Sequence, residues 1–404
     1  MSAALKILHT YKIYRPDIDG GIPYAIAMLC RFSSVMVSNA ILVARRFGAS
    51  KRYRQNGVPV EAVWSLGTLF STPVAPNYPF AWVARARDAD VVVHHAPFPL
   101  TDFVTGLMPP RVALVVFWHA EIVGYGALRR LVAPAIRRTL ARADRIVVSD
   151  QSIIDRSSFL QPFGSKCVVV PYGIDVGFWR HCTAAEAGTA QDIRSRHPRM
   201  IAAVGRLVSY KGFDVLIRAM KDVDGHLMLI GEGPLDASLK QLAANIGVSD
   251  RVTFAGRLTE TEVKSHLHAA RMLAFPSVTI AEAFGIVQLE AMAAGLPIVN
   301  TALPTAVPVI ARHEREALTV APGDALQLSA ALTRLLDDEA LAARLGAAGQ
   351  ERAIDEYSEA RFLCRMKAVY DDAVAARQLA CSHGDRGFLP NRDLVVAKDD
   401  FRRP

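Results

Sequence analysis

The chain has 404 residues, of which 51% are hydrophobic and 21% are charged, and its formal net charge is +8. This composition is typical of a globular protein that is long enough for two domains with separate cores. The longest apolar runs are far shorter than the roughly 20 residues that span a bilayer, so no transmembrane helix is predicted.

The five cysteines are dispersed along the chain, without the paired spacing of a zinc site. An odd and scattered set is typical of reduced thiols, so we predict neither a metal site nor a disulfide framework. The first residues lack the layout of a signal peptide. We therefore expect a cytoplasmic protein, either free or peripheral on the inner face of the cytoplasmic membrane.

Positive charge is concentrated in residues 1–150, which hold 18 Lys+Arg and 9 Asp+Glu, a balance of +9. One basic cluster runs from Arg45 to Arg54, and another runs from Arg129 to Arg145 with apolar residues at helical spacing. Such a helix suits an anionic membrane surface, but a solvated helix face has the same pattern, and the sequence leaves both open. Nucleic acid is disfavoured because few aromatic residues accompany the basic clusters.

Strand-like and helical patterns alternate along the chain. Short, continuous runs of apolar and β-branched residues predict buried parallel strands. These predicted strands are 6–9, 41–44, 90–94, 113–118, 145–148, 167–170, 200–204, 226–230, 252–254, 272–275 and 297–300. The helical patterns between them are 22–32, 127–141, 213–220, 235–245, 261–269, 286–294 and 325–336.

This alternation predicts an α/β protein with doubly wound, Rossmann-like sheets. The strands are too many for one sheet of ordinary size, so we predict two domains, residues 1–177 and 199–355. The segment 178–198 interrupts the rhythm with small and polar residues and is predicted as the interdomain linker. In residues 379–404 charges are mixed with Gly and Pro, and we predict a flexible tail there.

The segment 276–297 carries two glutamates, Glu282 and Glu290, eight positions apart. Glu282 precedes a predicted helix and Glu290 lies about two turns further on, so both carboxylates can reach one ligand rich in hydroxyl groups. The backbone N–H groups of Gly285 and Ile286, at the helix start, suit a phosphate. Nucleotide sugars combine these two chemistries. Taken alone, the pair also fits an ordinary capped helix with one solvated glutamate.

A second constellation follows the predicted strand 200–204. Gly205 and Arg206 come directly after the strand, and Lys211 comes five residues after Arg206, at a helix start. Ligands of open α/β sheets bind beyond the carboxyl ends of the strands, where an Arg fork and a Lys charge can clamp a diphosphate. Two surface cations beside a turn are the alternative interpretation.

Three weaker signals also fall at strand ends. Gly231, in a Gly-Glu-Gly-Pro turn, follows one predicted strand, as many tight turns do. Gly20 and Gly21 lie beyond the first strand, where glycines let the backbone approach a ligand closely. His119 closes an apolar strand, and a histidine there is either a satisfied hydrogen-bonding group or part of a site.

In this order, four segments resemble the retaining glycosyltransferases of family four: Gly-Arg-Leu with Tyr-Lys-Gly at 205–212, Gly-Glu-Gly-Pro at 231–234, Phe-Ala-Gly at 254–256, and the block 275–299. The resemblance extends from about residue 5 to 375 and implies a GT-B fold, in which two Rossmann-like domains face a central cleft. It also implies metal-independent hexose transfer from a nucleotide-diphosphate sugar, with no other cofactor. The opening segment 8–26 is similar to bacterial mannosyl- and rhamnosyltransferases that build O-antigen and related lipopolysaccharide.

The resemblance implies a role for each matching residue. Arg206 and Lys211 would hold the donor diphosphate and stabilise it as it leaves, while Glu290 would accept from the ribose hydroxyls. Glu282 would lie near the donor sugar, and His119 near the reacting carbon. The implied catalytic residues are His119, Arg206, Lys211 and Glu282. The implied donor-binding residues are Gly20, Gly21, Gly205, Arg206, Lys211, Gly231, Gly285, Ile286 and Glu290.

Two further features are interpreted through the resemblance. Residues 356–378 are similar to the family helix that crosses back to brace the N-terminal domain. Tyr172 stands where the family often has Asn, and we expect it to lie away from the diphosphate site. The implied acceptor is a glycan or a polyprenyl-diphosphate-linked glycan, and no nucleic-acid partner is expected.

Other functions remain open at this point. A nucleotide-sugar epimerase shares the GT-B architecture and would convert the donor without an acceptor. A non-catalytic, membrane-associated assembly subunit would bind lipid without transferring sugar. A nicotinamide dehydrogenase is disfavoured, because no G-x-G-x-x-G follows the first strand.

Overall fold

A computed structural model describes residues 4–18, 20–31, 37–69, 72–120 and 126–382, without the side chains of 126–129. Within these ranges the chain forms two large sheets flanked by helices. The strands are β1 Leu5–Tyr11, β2 Val37–Ala44, β3 Lys51–Gln55, β4 Val58–Val63, β5 Thr68–Leu69, β6 Thr72–Pro73, β7 Val91–Ala96, β8 Ala113–Trp118, β9 Arg145–Val148, β10 Cys167–Val169, β11 Met200–Val204, β12 His226–Ile230, β13 Val252–Gly256, β14 Met272–Ala274, β15 Ile298–Thr301 and β16 Ala317–Val320. The α-helices are α1 Gly21–Arg31, α2 Tyr78–Ala86, α3 Pro99–Val104, α4 Gly126–Arg142, α5 Gln151–Arg156, α6 Val176–Arg180, α7 Ala184–Arg196, α8 Phe213–Ala219, α9 Asp236–Asn245, α10 Glu260–Ala269, α11 Ile286–Ala293, α12 Val307–Ile310, α13 Ala325–Asp337, α14 Glu339–Glu356 and α15 Glu359–Ser382.

The first sheet has the strand order β10-β9-β8-β7-β1-β2-β4-β3. Its strands pair in parallel except β3 and β4, which form an antiparallel hairpin with Lys51 opposite Ala62. The sequence pattern missed this hairpin, because β3 is charged and largely exposed and carries no apolar run. The segment was recognised only as a basic cluster.

The second sheet is entirely parallel, with the order β13-β12-β11-β14-β15-β16. This is the doubly wound order of a Rossmann fold, in which the direction of winding reverses between the two central strands. The two sheets therefore confirm the α/β architecture expected from the sequence. Strand β16 and helix α14 were not predicted.

The segment 178–198, predicted as a linker, is largely helical and packs on the second sheet's helices. Helix α7 begins with a capping box, in which Thr183 and Glu186 satisfy each other's backbone N–H groups. Glu186 also accepts from Lys264 of α10 at 2.7 Å, and both side chains are almost fully buried. The sequence pattern did not predict this helix because its residues are mostly small and polar. Capping and one buried ion pair, rather than an apolar stripe, hold it in place.

Helix α15 extends beyond the predicted 356–378 and returns to the first sheet. Its Arg377 pairs with Asp144 at 2.6 Å, and its Asp372 pairs with Arg145. The helix continues to Ser382, so the first residues of the predicted tail are helical. Residues 383–404 lie outside the described residues.

Candidate functional site

Ligands of doubly wound sheets bind at the switch point where the strand order reverses, which here lies between β11 and β14. Gly205 and Arg206 follow β11, and the segment 275–285 follows β14. The Val278 N–H donates to the carbonyl oxygen of Tyr210 at 2.8 Å and so joins the two loops. The two strongest sequence signals therefore meet at one crevice.

Lys211 and Glu282 form an ion pair in this crevice, with 2.5 Å between Nζ and Oε2. Their side chains are only 13% and 10% exposed, so water screens the pair weakly. The Ser277 hydroxyl donates to the same carboxylate oxygen at 3.2 Å, and the ring centre of Phe275 lies 5.0 Å from Lys211 Nζ. The cation and the carboxylate are thus held as one unit at the strand ends.

Gly212 determines the path of the turn that carries Lys211. Its φ is +66°, and a Cβ there would lie 2.1 Å from the carbonyl oxygen of Pro276. Only glycine accepts both the left-handed conformation and this close approach. Arg206, by contrast, is exposed, and among the described residues its guanidinium has no ion-pair partner. Its charge is therefore available to an anion beyond the carboxyl end of β11.

Glu290 lies in α11, partly buried and near both Glu260 and Lys211. Burial is the main cause that raises the pKa of Glu290 to about 8; the charge of Glu260 adds to this effect and the charge of Lys211 opposes it. At neutral pH the carboxyl group is therefore mostly protonated, and it can both donate to and accept from a ligand hydroxyl. Burial, and then the charges of Glu290 and Glu260, also raise the pKa of Tyr24 in α1, so α1 lies close to α11.

Gly21 and Ile286 bring the two halves of the chain into contact. A Cβ at Gly21 would lie 3.7 Å from Ile286 Cδ1, and each residue begins a helix. Gly20 precedes this contact, while the adjacent Asp19 lies outside the described residues. Gly285, with φ +85°, caps α11, and a Cβ there would lie 2.5 Å from Phe275 Cζ. Of the predicted glycines, Gly21 and Gly285 therefore lie at the start of α11, and Gly20 directly precedes Gly21.

The other two predicted glycines, Gly205 and Gly231, pack within the second sheet rather than at the start of α11. The Gly205 N–H donates to the carbonyl oxygen of Ile230 at 2.9 Å, and the Gly231 N–H donates to that of Gly256 at 2.8 Å. A Cβ at Gly231 would lie 2.0 Å from the Gly205 oxygen, so close backbone packing requires the glycine. These N–H groups are used within the sheet, and a donor-binding role for the two glycines stays a prediction.

His119 is 4% exposed, and both of its ring nitrogens have protein partners. Nε2 lies 2.7 Å from His95 Nδ1, and Nδ1 is hydrogen-bonded to the Tyr172 hydroxyl. Burial lowers the pKa of His119 to about 3, with a smaller contribution from His94. The Tyr172 ring meets that of Phe284 edge-on at 4.8 Å, so Tyr172 contacts the donor motif, while its expected place away from the diphosphate site stays a prediction. A catalytic role for His119 stays a prediction.

Sequence reasoning missed the polar side chains that anchor α11. The Asn300 amide donates to Gln288 Oε1 at 3.0 Å, and the Gln288 amide donates to the carbonyl oxygen of Phe284 at 3.4 Å. Both side chains are fully buried. A single Gln within the apolar helix was the available signal. In the described ranges no three His, Cys, Asp or Glu side chains are arranged to hold a metal ion, and metal-independent transfer stays a prediction.

Comparison with known proteins places the chain in a family. Residues 27–173 match the family described as Glycosyl transferase 4-like domain, and residues 190–352 match Glycosyl transferases group 1. The chain is 29% identical over 353 residues to D-rhamnosyltransferase WbpZ of Pseudomonas aeruginosa, covering 86% of this chain and 91% of that protein. It is 31% identical over 285 residues to the GDP-mannose-dependent alpha-(1-6)-phosphatidylinositol monomannoside mannosyltransferase of Mycobacterium tuberculosis, covering 66% and 71%.

The fold is similar to that of Alr3699/HepE from Anabaena, solved in complex with UDP, with a TM-score of 0.74 and 17% identity. The match covers 91% of this chain and 100% of that one. It confirms the expected GT-B fold, in which two Rossmann-like domains face a central cleft. By its sequence relatives and its fold, the chain is a glycosyltransferase and belongs to the family of Glycosyl transferases group 1.

Proposed function

We propose that this enzyme transfers a hexose of the mannose or rhamnose type, with retention, from a GDP sugar to a glycan or polyprenyl-diphosphate-linked acceptor. The product would enter a cell-surface polysaccharide such as O-antigen. The names of the Pseudomonas and Mycobacterium relatives support the sugar and the nucleotide. The observation that carries the proposal is the buried Lys211–Glu282 pair, which lies at the switch point beside Arg206 and near Glu290.

The positive charges of Arg206 and Lys211 suit a diphosphate leaving group. When the bond between the sugar C1 and the diphosphate oxygen breaks, the electron pair stays on the diphosphate and the sugar gains oxocarbenium character. Arg206 and Lys211 would stabilise that negative charge, which is commonly the largest catalytic effect available. The acceptor hydroxyl then bonds to C1 on the same face and gives its proton to the departing phosphate oxygen. Glycoside and nucleoside diphosphate are the products.

The carboxyl groups are suited to hydroxyl recognition. Glu282, fixed by Ser277 and Lys211, presents acceptor oxygens to the sugar, and Glu290 faces the ribose further along α11. A mostly protonated Glu290 adds little negative charge beside the diphosphate, so it can bind ribose without repelling the donor. These roles for the two glutamates are part of the proposal.

Peripheral membrane binding is also part of the proposal, through a surface smaller than the sequence indicated. Arg142 pairs with Asp144, and Arg145 pairs with Asp372 of α15, so both arginines are already engaged within the protein. Arg45 likewise pairs with Asp17. No helix in the described ranges has both the length and the apolar composition that crossing a bilayer requires.

We define one candidate as the α3–α4 surface, composed of Phe103, Leu107, Leu131, Arg130 and Arg138. Its three apolar side chains are 53–70% exposed, and Leu131 lies on the solvent side of α4. A Cβ at Gly106 would lie 3.9 Å from Arg138 Cδ, so the arginine lies over the turn beside Leu107. Exposed apolar groups next to arginines suit the interface of an anionic bilayer.

A donor screen followed by a transfer assay tests the proposed function. Donor binding raises stability by RT ln(1 + [L]/Kd), about 2.7 kcal/mol at 100 times Kd, so GDP, UDP and ADP sugars can be ranked by thermal shift. The preferred donor is then incubated with and without a polyprenyl-diphosphate-linked glycan. Glycoside formed only with the acceptor supports the proposal. An isomerised donor without acceptor would identify an epimerase, and vesicle binding without any transfer would identify an assembly subunit.

A further inference from the structure

Four polar side chains form a diagonal row across the first sheet, from the carboxyl end of β8 to the first half of β2. His119 follows β8, His95 lies in β7, His9 in β1 and Asn39 in β2, and these strands are neighbours in the sheet. Each of the four residues is at most 6% exposed. We call this set the histidine row. Apart from His119, none of its members is among the predicted site residues.

Neighbours in the row lie within hydrogen-bonding distance. His119 Nε2 is 2.7 Å from His95 Nδ1, and His95 Nε2 is 3.1 Å from His9 Nδ1. His9 Nε2 is 3.3 Å from Asn39 Oδ1. At the other end the Tyr172 hydroxyl is hydrogen-bonded to His119 Nδ1, and the two ring planes are 3° apart. The row is therefore continuous from Asn39 to Tyr172.

The donor and the acceptor of each hydrogen bond in the histidine row can be assigned. Burial makes all three imidazoles neutral at physiological pH, since it lowers the pKa of His9 to about 4 and that of His119 to about 3, and it lowers the pKa of His95 well below its usual value. A neutral imidazole carries one N–H. The amide oxygen of Asn39 can only accept, so His9 is protonated on Nε2 and its Nδ1 accepts from the next ring. By the same reasoning His95 and His119 are protonated on Nε2, and each donates to the Nδ1 of the preceding ring. The Tyr172 O–H donates to His119 Nδ1.

The structure assigns to the histidine row a positioning function: it holds His119 in its Nε2–H tautomer and fixes Tyr172 against the donor motif. His119 would then assist sugar transfer through Tyr172, because neither of its ring nitrogens is free to exchange a proton with a substrate. Tyr172 contacts Phe284, which lies between Glu282 and Gly285. The inference deepens the proposed function and rests on it for the effect on turnover, whereas the tautomer itself does not depend on it.

The contact between Tyr172 and Phe284 connects the histidine row to the donor motif. The row is therefore more than a buried polar cluster. Tyr172 precedes Gly173, where a Cβ would lie 2.8 Å from both Phe362 Cβ and the Ser358 oxygen. The backbone around Tyr172 is therefore confined by α15, and a hydrogen bond to the hydroxyl sets the remaining freedom of the ring. Loss of that bond should change the orientation of Phe284 and its loop. It should affect the protein's affinity for nucleotide less.

Long-range ¹H–¹⁵N correlation spectra of the full-length protein, labelled in histidine, test the tautomer directly. We expect neutral Nε2–H forms for His9, His95 and His119 in the free protein, and an altered Nδ1 resonance of His119 in Tyr172→Phe. An Nδ1–H tautomer at His119, or a charged ring at neutral pH, would overturn the inference. Because the wild-type spectrum alone decides the tautomer, a variant that does not fold leaves the test intact.

Turnover tests the positioning role. Tyr172→Phe removes one hydrogen bond and keeps the ring, so kcat should fall about 10-fold while KM for the donor changes less than about two-fold. Tyr78→Phe is the matched control, since Tyr78 is a buried tyrosine of the same half whose hydroxyl bonds to Thr101 at 2.9 Å, outside the row. Unchanged kcat in Tyr172→Phe, or an equal loss in both variants, would overturn the role. If the wild-type protein transfers no sugar, the proposed function fails while the spectra still decide the tautomer.

Discussion

Lys211 Nζ lies 2.5 Å from Glu282 Oε2, so the cation that the resemblance assigns to the diphosphate is bonded to the carboxylate that it assigns to the sugar. The pair is nearly buried, and removing one partner of a buried pair leaves an uncompensated charge. Each residue therefore has two functions in the site, one in stability and one in chemistry. Variants of either residue must be designed to separate the two.

Lys211→Ala should lower sugar transfer at least about 100-fold, because it removes a fixed cation at the developing phosphate charge. It should also destabilise the fold by about 3 kcal/mol, since Glu282 is left buried and unpaired. The double variant with Glu282→Gln should recover most of the stability but none of the activity. Transfer rates and urea denaturation of the single and double variants measure both effects.

Lys240→Ala is the control for this series, since Lys240 also pairs with a carboxylate, Asp236 at 2.7 Å, but on the surface. It should retain activity and stability. Near-normal transfer by a folded Lys211→Ala variant would contradict the proposed clamp.

Glu290→Gln should change how stability depends on pH. The folded-state pKa of Glu290 is about 8, above its unfolded value of 4.5, so the native state binds the extra proton between these values. Stability due to this group is fully present below about pH 4.5 and is lost as pH rises through 8. Gln resembles the protonated form, so the variant should match wild type near pH 5 and exceed it near pH 9 in urea denaturation. A constant difference between the two proteins at both pH values would contradict the raised pKa.

Replacing Phe103 and Leu131 together by Ser should weaken binding to vesicles of anionic phospholipid. Each apolar side chain buried at the interface contributes about 1.5–3 kcal/mol when fully buried, so the pair should lower partitioning at least about 10-fold. Vesicle co-sedimentation measures the change. Leu326→Ser is the control, since Leu326 of α13 is 74% exposed but lies in the other half of the chain. Equal binding by the control and the double variant would exclude the α3–α4 surface.

Asp144→Ala should destabilise the protein by about 3–5 kcal/mol, because it breaks the buried pair that fastens α15 to the first sheet. Asp144 accepts from Arg377 and from the Leu114 N–H at 2.8 Å, and it is 7% exposed. The surface variant Asp236→Ala, which loses only a pair with Lys240 within one helix, should cost well under 1 kcal/mol. Equal denaturation midpoints for the two variants would show that α15 does not depend on this contact.

Much of the fold could be predicted because buried parallel strands carry continuous apolar runs, as in β8 and β12. Two of the elements that were missed, β3 and α7, lack such runs. Strand β3 is charged and exposed, and α7 is held by a capping box and the Glu186–Lys264 pair rather than by an apolar stripe. Local composition does not reveal a partner that lies 78 residues away in sequence.

The candidate site was predictable where its residues are adjacent in sequence or directly follow strands. Arg206, Lys211 and Glu282 were found in this way, although their spacing could not show that Lys211 and Glu282 are bonded to each other. The histidine row was missed because its members come from four strands. A histidine in or just after each of three neighbouring strands was the available signal, and only His119 was recognised.

The most direct test of the central claim is calorimetric titration of GDP and GMP into the wild-type protein and into Arg206→Ala. Arg206 is exposed and unpaired among the described residues, so its removal should not disturb the fold. If Arg206 and Lys211 hold the diphosphate, wild type should bind GDP at least about 10-fold more tightly than GMP, as expected for charge-assisted hydrogen bonds to the extra phosphate. The variant should lose most of that preference. A variant that retains the full preference for GDP would contradict the proposed donor site.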